Sequence, residues 1–206
     1  MPPKVSLEYK EDTRERILGA AQGLFQQKGY HETSMDDIVK VSGLSKGAIY
    51  GYFESKEELF ETIQDREYLR TYEEAKKVLE TEGNATSRLE KVADLYFVTR
   101  DELARVACRM ALEFSSASLT MKPVRKKIEE RYKQTHDLLA SLLKEGVKNE
   151  EFRKGIDVDS IAWLLVATVD GLMQRWAITE AEIDWKSEKE AMVNVVLEGI
   201  SAHRIR

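Results

Sequence analysis

The chain has 206 residues, 33% of them charged, with only three prolines and a formal net charge of −5. That length allows one large domain or two small ones with a real core, and the composition points to a soluble, mostly helical protein. A single cysteine excludes an internal disulfide.

The opening residues lack the apolar stretch of a secretory signal, and the longest strongly apolar run, residues 161–169, falls short of the ~18 residues of a membrane span. The expected place is therefore the cytoplasm, with no membrane partner. Charge alone gives no nucleic-acid reading, since residues 1–53 hold seven Lys or Arg against seven Asp or Glu.

In chain order, residues 1–11 read as a loose arm. A helix is predicted over 13–28, with Ile17, Ala20, Ala21, Leu24 and Phe25 on one face and Gly29 as its stop. Residues 33–56, TSMDDIVKVSGLSKGAIYGYFESK, read as two short helices around a glycine turn. Ser34 is placed to cap the first, with Asp36 and Asp37 in its first turn, where the helix dipole favours anions. Gly43 ends it where a positive φ is easiest to adopt. Ser45 caps the second helix, over 46–53, on which Ile49 and Phe53 share an inward face while Lys46 and Tyr50 look outward. So short a helix cannot hold itself together. It must be packed from behind, and its front is free to meet a partner.

Ser55 and Glu58 are spaced as a capping box for a long helix over 56–82, broken at Gly83 and Asn84. Further helices are predicted over 87–98, 101–116, 123–149, Val158–Ile178 and 185–203, with Pro123 in a first turn and Asp157 or Asp159 as a cap. No strand-like alternation persists, so the fold class is all-α. The Val158–Ile178 helix is apolar nearly all round, which in a chain of this size calls for cover from a second subunit.

Catalytic chemistry finds no support. His31, His136 and His203 are scattered, with His136 on a charged helix face, and Cys108 sits among apolar neighbours as a structural thiol. No glycine-rich phosphate loop and no HExxH or CxxC pattern occurs. The expectation is no enzyme, no metal and no cofactor. Two other classes stay open at this point: a helical adaptor that binds protein through Val158–Ile178, and a small helical enzyme.

One ordered set of residues carries a resemblance. Ile17, Ala20, Ala21, Leu24, Phe25, Gly29-Tyr30, Thr33-Ser34, Asp37-Ile38, Gly43-Leu44-Ser45-Lys46-Gly47, Ile49-Tyr50, Tyr52-Phe53 and Ser55-Lys56-Glu57-Glu58-Leu59 together resemble the DNA-binding domain of the TetR (tetracycline-repressor) family. The resemblance implies an N-terminal three-helix helix-turn-helix domain at 1–54 and a C-terminal helical ligand-binding and dimerisation domain at 55–206. It implies a homodimeric repressor that binds a palindromic operator in double-stranded DNA and is released by a small, largely apolar effector.

By the same resemblance Lys46, Gly47, Ala48 and Tyr50 face bases, Thr33, Ser45, Tyr52 and Lys56 lie on phosphates, and Ser34 and Gly51 belong to the same surface. Gly51 and Ala48 depart from the family, which usually has a large polar or aromatic residue and a threonine there. The expected effector pocket takes Tyr68, Tyr72, Tyr96, Phe97, Met110, Phe114 and Met173, while Arg105 and Arg109 either meet an anionic ligand or are solvated. The expected dimer interface takes Leu165, Val169, Gly171, Leu172, Trp176, Met192, Val195, Val196 and Gly199.

Overall fold

The computed structural model describes residues 6–97, 102–179 and 182–202, so the expected helix ends at Val98, Asp101 and His203 lie outside it. The described residues form nine helices and no strand, apart from one isolated antiparallel bridge between Phe152 and Ser201. The helices are α1 (Leu7–Lys28), α2 (Met35–Ser42), α3 (Lys46–Tyr50), α4 (Lys56–Leu79), α5 (Ala85–Tyr96), α6 (Glu102–Ala117), α7 (Lys122–Lys148), α8 (Val158–Ile178) and α9 (Trp185–Ile200). Two compact units divide at Glu67 and Tyr68, within α4.

The expected arm is mostly helix. α1 begins at Leu7 because Ser6 is extended and its hydroxyl accepts from the Tyr9 amide at 3.1 Å. In this first unit α1 packs on α2, and α2 on α3. Its buried side chains include Ile17, Phe25, Ile38, Ile49, Phe53 and Leu59. The Phe25 and Phe60 rings meet edge to face with centroids 5.7 Å apart. At Ser55 the capping box is offset by one residue: the hydroxyl accepts from Glu58 N at 3.1 Å, but Glu58 Oε2 reaches back to the amide of Glu54.

In the second unit α7 packs against α5, α6 and α8, α6 against α8, and α5 against α9. Its core includes Leu89, Leu139, Leu143, Trp176, Trp185 and Leu197. Polar groups tie the connections. Glu151 accepts from the Ala85 and Thr86 amides at 2.9 and 3.1 Å, closing the α5 N-terminus. The buried Arg88 donates to the Leu79 carbonyl at 2.9 Å and pairs with Glu145. Phe152, one per cent exposed, lies in the connection after α7 and covers Gly146.

α8 as a whole is long and apolar enough to cross a membrane by length and composition, which the nine-residue run within it did not suggest. It has two sides. Ala162, Leu165, Val166, Trp176 and Ala177 are buried, whereas Trp163, Leu164 and Ile178 are 46%, 56% and 66% exposed. On α9, Val195 is 71% exposed.

Candidate nucleic-acid interface and effector site

α2 begins with a complete capping box. Ser34 Oγ accepts from the Asp37 amide at 3.1 Å while Asp37 Oδ2 accepts from the Ser34 amide at 2.9 Å and from Lys28 Nζ at 2.7 Å. Lys28 first, and then Ser34, hold the Asp37 carboxyl far below the usual carboxylate range. Gly43 ends α2 in the left-handed region at φ 65°, and Ser45 Oγ then accepts from Ala48 N at 3.2 Å to start α3.

α3 is shorter than expected, ending at Tyr50, after which residues 51–52 form a turn. It is held from behind by Ile49, which is fully buried, a burial that contributes ~1.5–3 kcal/mol. Its front presents Lys46, Gly47, Tyr50 and Gly51 to solvent, with Ala48 and Tyr52 half-buried and Ser34 and Ser45 exposed beside it.

Three of the cationic and hydroxyl groups expected at DNA are already engaged. Lys46 Nζ stands 2.8 Å from Asp36 Oδ1, a contact that raises the lysine's pKa. Thr33 is buried and donates its hydroxyl to the Gly29 carbonyl at 2.8 Å, so it holds the turn instead of facing outward. Lys56 Nζ donates to the carbonyls of Tyr30 and Thr33, both at 2.9 Å, and of His31 at 3.4 Å. It also lies 4.4 Å from the centroid of the Tyr30 ring.

The residues expected around an effector fall into two groups. Tyr68 and Tyr72 stack with centroids 5.7 Å apart, and Tyr68 Oη donates to the Arg131 carbonyl at 3.0 Å, with Gln134 Oε1 at the same distance. The Arg131 guanidinium lies 5.1 Å from the Tyr68 ring and 4.8 Å from that of the buried Phe114. Burial pushes the Tyr96 phenol up to about 12, with Tyr68 and Asp170 adding to the rise. Asp170 joins this cluster from α8. It is exposed, yet partial desolvation raises its carboxyl, with the Tyr132 hydroxyl acting in the opposite direction.

Phe97 belongs elsewhere: it packs edge on to Trp185 at 6.3 Å, and Trp185 on Trp176 at 5.1 Å, in the α5–α8–α9 core. Met110 is buried, and Met173 Sδ lies 3.9 Å from Cys108 Sγ, so the thiol is half-buried beside a thioether. Arg105 stacks over Trp176 at 5.2 Å and Arg109 Nε donates to the Ala177 carbonyl at 2.8 Å; neither is simply solvated. His136, expected on a charged face, is instead 12% exposed and stacks on Trp163 at 4.6 Å. Tyr132 on α7, whose phenol is raised by burial first and then by Asp170, was not singled out from the sequence and has no local signature.

Of the expected dimer residues, Gly171, Val195 and Gly199 are exposed and Val169, Leu172 and Met192 are half-buried. Leu165, Trp176 and Val196 require correction, for they are buried in the protomer's own core at 5%, 2% and 8% exposure. The exposed stripe consists instead of Trp163, Leu164, Ala167 and Gly171 on α8 with Val195 and Gly199 on α9.

The architecture, with a capped helix-turn-helix ahead of a six-helix unit, agrees with two family models. Residues 17–63 match the bacterial regulatory proteins of the tetR family, and residues 85–202 match the C-terminal part of BetI-type transcriptional repressors. The chain belongs to the TetR family. It is thus a DNA-binding transcriptional regulator, in a family of regulators rather than enzymes.

Among relatives of this TetR-family chain, the uncharacterised regulator YfiR of Bacillus subtilis is 30% identical over 84% of both chains. The fatty acid metabolism regulator of the same organism is 24% identical, covering 90% of this chain and 94% of its own. A transcriptional regulator from Saccharomonospora viridis, solved in complex with choline, shares the fold at a TM-score of 0.82 and 24% identity, covering 93% of this chain and 98% of its own. FadR from Bacillus subtilis, solved with stearoyl-CoA, does so at 0.75 and 23% identity, covering 91% of this chain and 99% of its own.

Proposed function

We propose that this regulator is a cytoplasmic homodimeric repressor that occupies a palindromic operator through α3 and is released when a small molecule binds within the second unit. The observation that carries the reading is the two-sided α3. Ile49 is fixed in the core while Lys46, Gly47 and Tyr50 stand out from the protein, the disposition a helix needs to enter a major groove. Tyr50 and Lys46 read base edges, with Gly47 and Ala48 permitting close approach; Ser45 and Tyr52 lie on phosphates. Lys56 reaches a phosphate only by releasing one of its three carbonyls.

Two such helices, one per subunit, require a seam, and the exposed stripe of Trp163, Leu164, Gly171 and Val195 supplies an apolar surface for it. The effector lies among Tyr68, Tyr72, Tyr96, Met110, Phe114 and Met173, whose side chains favour a molecule with a largely apolar surface. Similar chains were solved with choline and with stearoyl-CoA, which supports a small-molecule signal and leaves its chemistry to this chain's own residues. The reading assigns the chain no catalytic step.

Selection of bound sequences from a random duplex pool tests it. The expected product is an inverted repeat with half-sites about 10 base pairs apart, centre to centre, or a multiple of that. Enrichment of a single asymmetric element, or no enrichment, overturns the dimeric operator reading.

A further inference from the structure

Asp36 is the misfit of the surface around α3. It stands second in α2, exposed, and its Oδ1 accepts from the Nζ of the exposed Lys46 at 2.8 Å. The cap of α2 does not use it. That role falls to Ser34 and to Asp37, whose carboxylate is bound by the Ser34 amide and by Lys28. Asp36 is thus a carboxylate held at the first residue of the helix that faces DNA. A duplex carries one negative charge per about 1.7 Å of its axis, so a bare carboxylate there opposes every sequence alike.

Base edges can answer it where phosphates cannot. In the major groove guanine offers the adjacent acceptors O6 and N7, and the cytosine paired with it offers the second N4 hydrogen as a donor. Lysine suits the first pair of groups and aspartate the second. Lys46 and Asp36 set a donor beside an acceptor at 2.8 Å, and guanine O6 and cytosine N4 are hydrogen-bonded to each other at a similar ~2.9 Å. The ion pair can therefore stay closed on a G·C pair, with Lys46 donating to guanine and Asp36 accepting from cytosine. An A·T pair sets its single donor between two separated acceptors, so the ammonium finds one acceptor in place of two. On a phosphate Lys46 has to leave Asp36, and the carboxylate is then a like charge beside the backbone.

We propose that Asp36 is a specificity-determining residue: together with Lys46 it reads a G·C pair in the half-site, and alone it penalises binding to all other DNA. This rests on the operator reading given above and deepens it by adding an acidic reader from α2 to those of α3.

The test compares the full-length protein with Asp36→Ala and Asp36→Asn by fluorescence anisotropy. The probes are the selected duplex, a scrambled duplex, and duplexes with each selected pair exchanged in turn. The parent is expected to lose about tenfold in affinity or more when one particular G·C pair is exchanged for A·T. Asp36→Ala is expected to bind the scrambled duplex a few-fold more tightly and the selected duplex no better. Its preference at that one G·C pair is expected to fall about fivefold or more. With Lys46 released to a phosphate, the slope of log affinity against log salt on the scrambled duplex is expected to steepen by about 0.9 per subunit. Asp36→Asn keeps the shape and one acceptor oxygen and is expected to fall between the two.

The proposal is overturned if Asp36→Ala changes affinity for selected and scrambled duplexes by the same factor, which makes Asp36 a charge at a helix start and nothing more. It is also overturned if no G·C position loses its preference. Should Asp36→Ala lack the helicity of the parent by circular dichroism, Asp36→Asn decides by the same ratio. An asymmetric selected element refutes the dimeric operator alone, since the Asp36 comparison still stands on that ratio. A parent that selects no sequence overturns both.

Discussion

The ammonium of Lys56 reaches three carbonyls of the turn that leads into α2 and rests on the Tyr30 ring, so its present role is to hold that turn in place. A charge-assisted hydrogen bond contributes ~1.5–3 kcal/mol before solvation of the alternative state is counted. Lys56→Met keeps the aliphatic stem over Tyr30 and removes the donors. It is expected to lower unfolding stability by about 1–2 kcal/mol in urea titration, and to weaken DNA binding equally on selected and scrambled duplexes. If stability is unchanged and only DNA affinity falls, Lys56 is a phosphate contact and not a pin. Lys46 is restrained in a different way: its exposed pair with Asp36 is weak and easily exchanged for a phosphate.

At the scale of elements, what the sequence disclosed follows from how local each signal is. Ser34, Gly43, Ser45 and Asp157 act within three or four residues of themselves, and the helix starts and stops they mark are where the spacing places them; Asn84, expected only as a break, caps α5 at Ala85, two residues ahead of the expected start at Ser87. α1 begins before its expected start because Ser6 caps it at the Tyr9 amide, while Thr13 lies inside the helix and donates its hydroxyl to the Tyr9 carbonyl at 2.7 Å. The inward and outward faces here were legible from Ile49 and Phe53, four apart and buried, against Lys46 and Tyr50, four apart and exposed. α8 was not legible in the same way. A helix apolar nearly all round has no polar side to orient it, so periodicity could not tell Leu165 and Trp176 (inward) from Leu164 and Gly171 (outward).

Long-range pairs leave no trace in spacing. Tyr132 with Asp170, Arg88 with Glu145, and Phe152 with Gly146 are each built from distant parts of the chain or from a loop without periodicity. The last pair is tight. A Cβ at Gly146 would stand 2.2 Å from the Phe152 ring and 3.0 Å from Ala85 Cβ. Gly146→Ala is therefore expected to destabilise the protein by about 1–3 kcal/mol, despite replacing a glycine inside a helix. Chemical denaturation reads the sign directly: a gain in stability, the usual result of glycine to alanine in a helix, would show that Phe152 moves aside at little cost.

For the whole molecule the decisive question is the seam. Gly171 meets nothing within 4 Å at the position of an added Cβ, so the protomer itself has room for a larger side chain there. Gly171→Leu is expected to leave helicity intact, to convert the dimer to monomer in sedimentation velocity, and to abolish binding to the inverted repeat, because a monomer presents a single α3. A variant that remains a DNA-binding dimer moves the seam away from α8.

The exposed Trp163, Leu164 and Val195 also bear on how many copies a cell can use. A surface that is stable only when a second chain covers it links folding to concentration, because the partner acts as a ligand of the native state. At low abundance the free protomer presents a greasy stripe to proteases and chaperones; at higher abundance it is sheltered. If this stripe is the seam, copy number enters the regulator's response as a threshold, with newly made chains surviving in proportion to the chains already present.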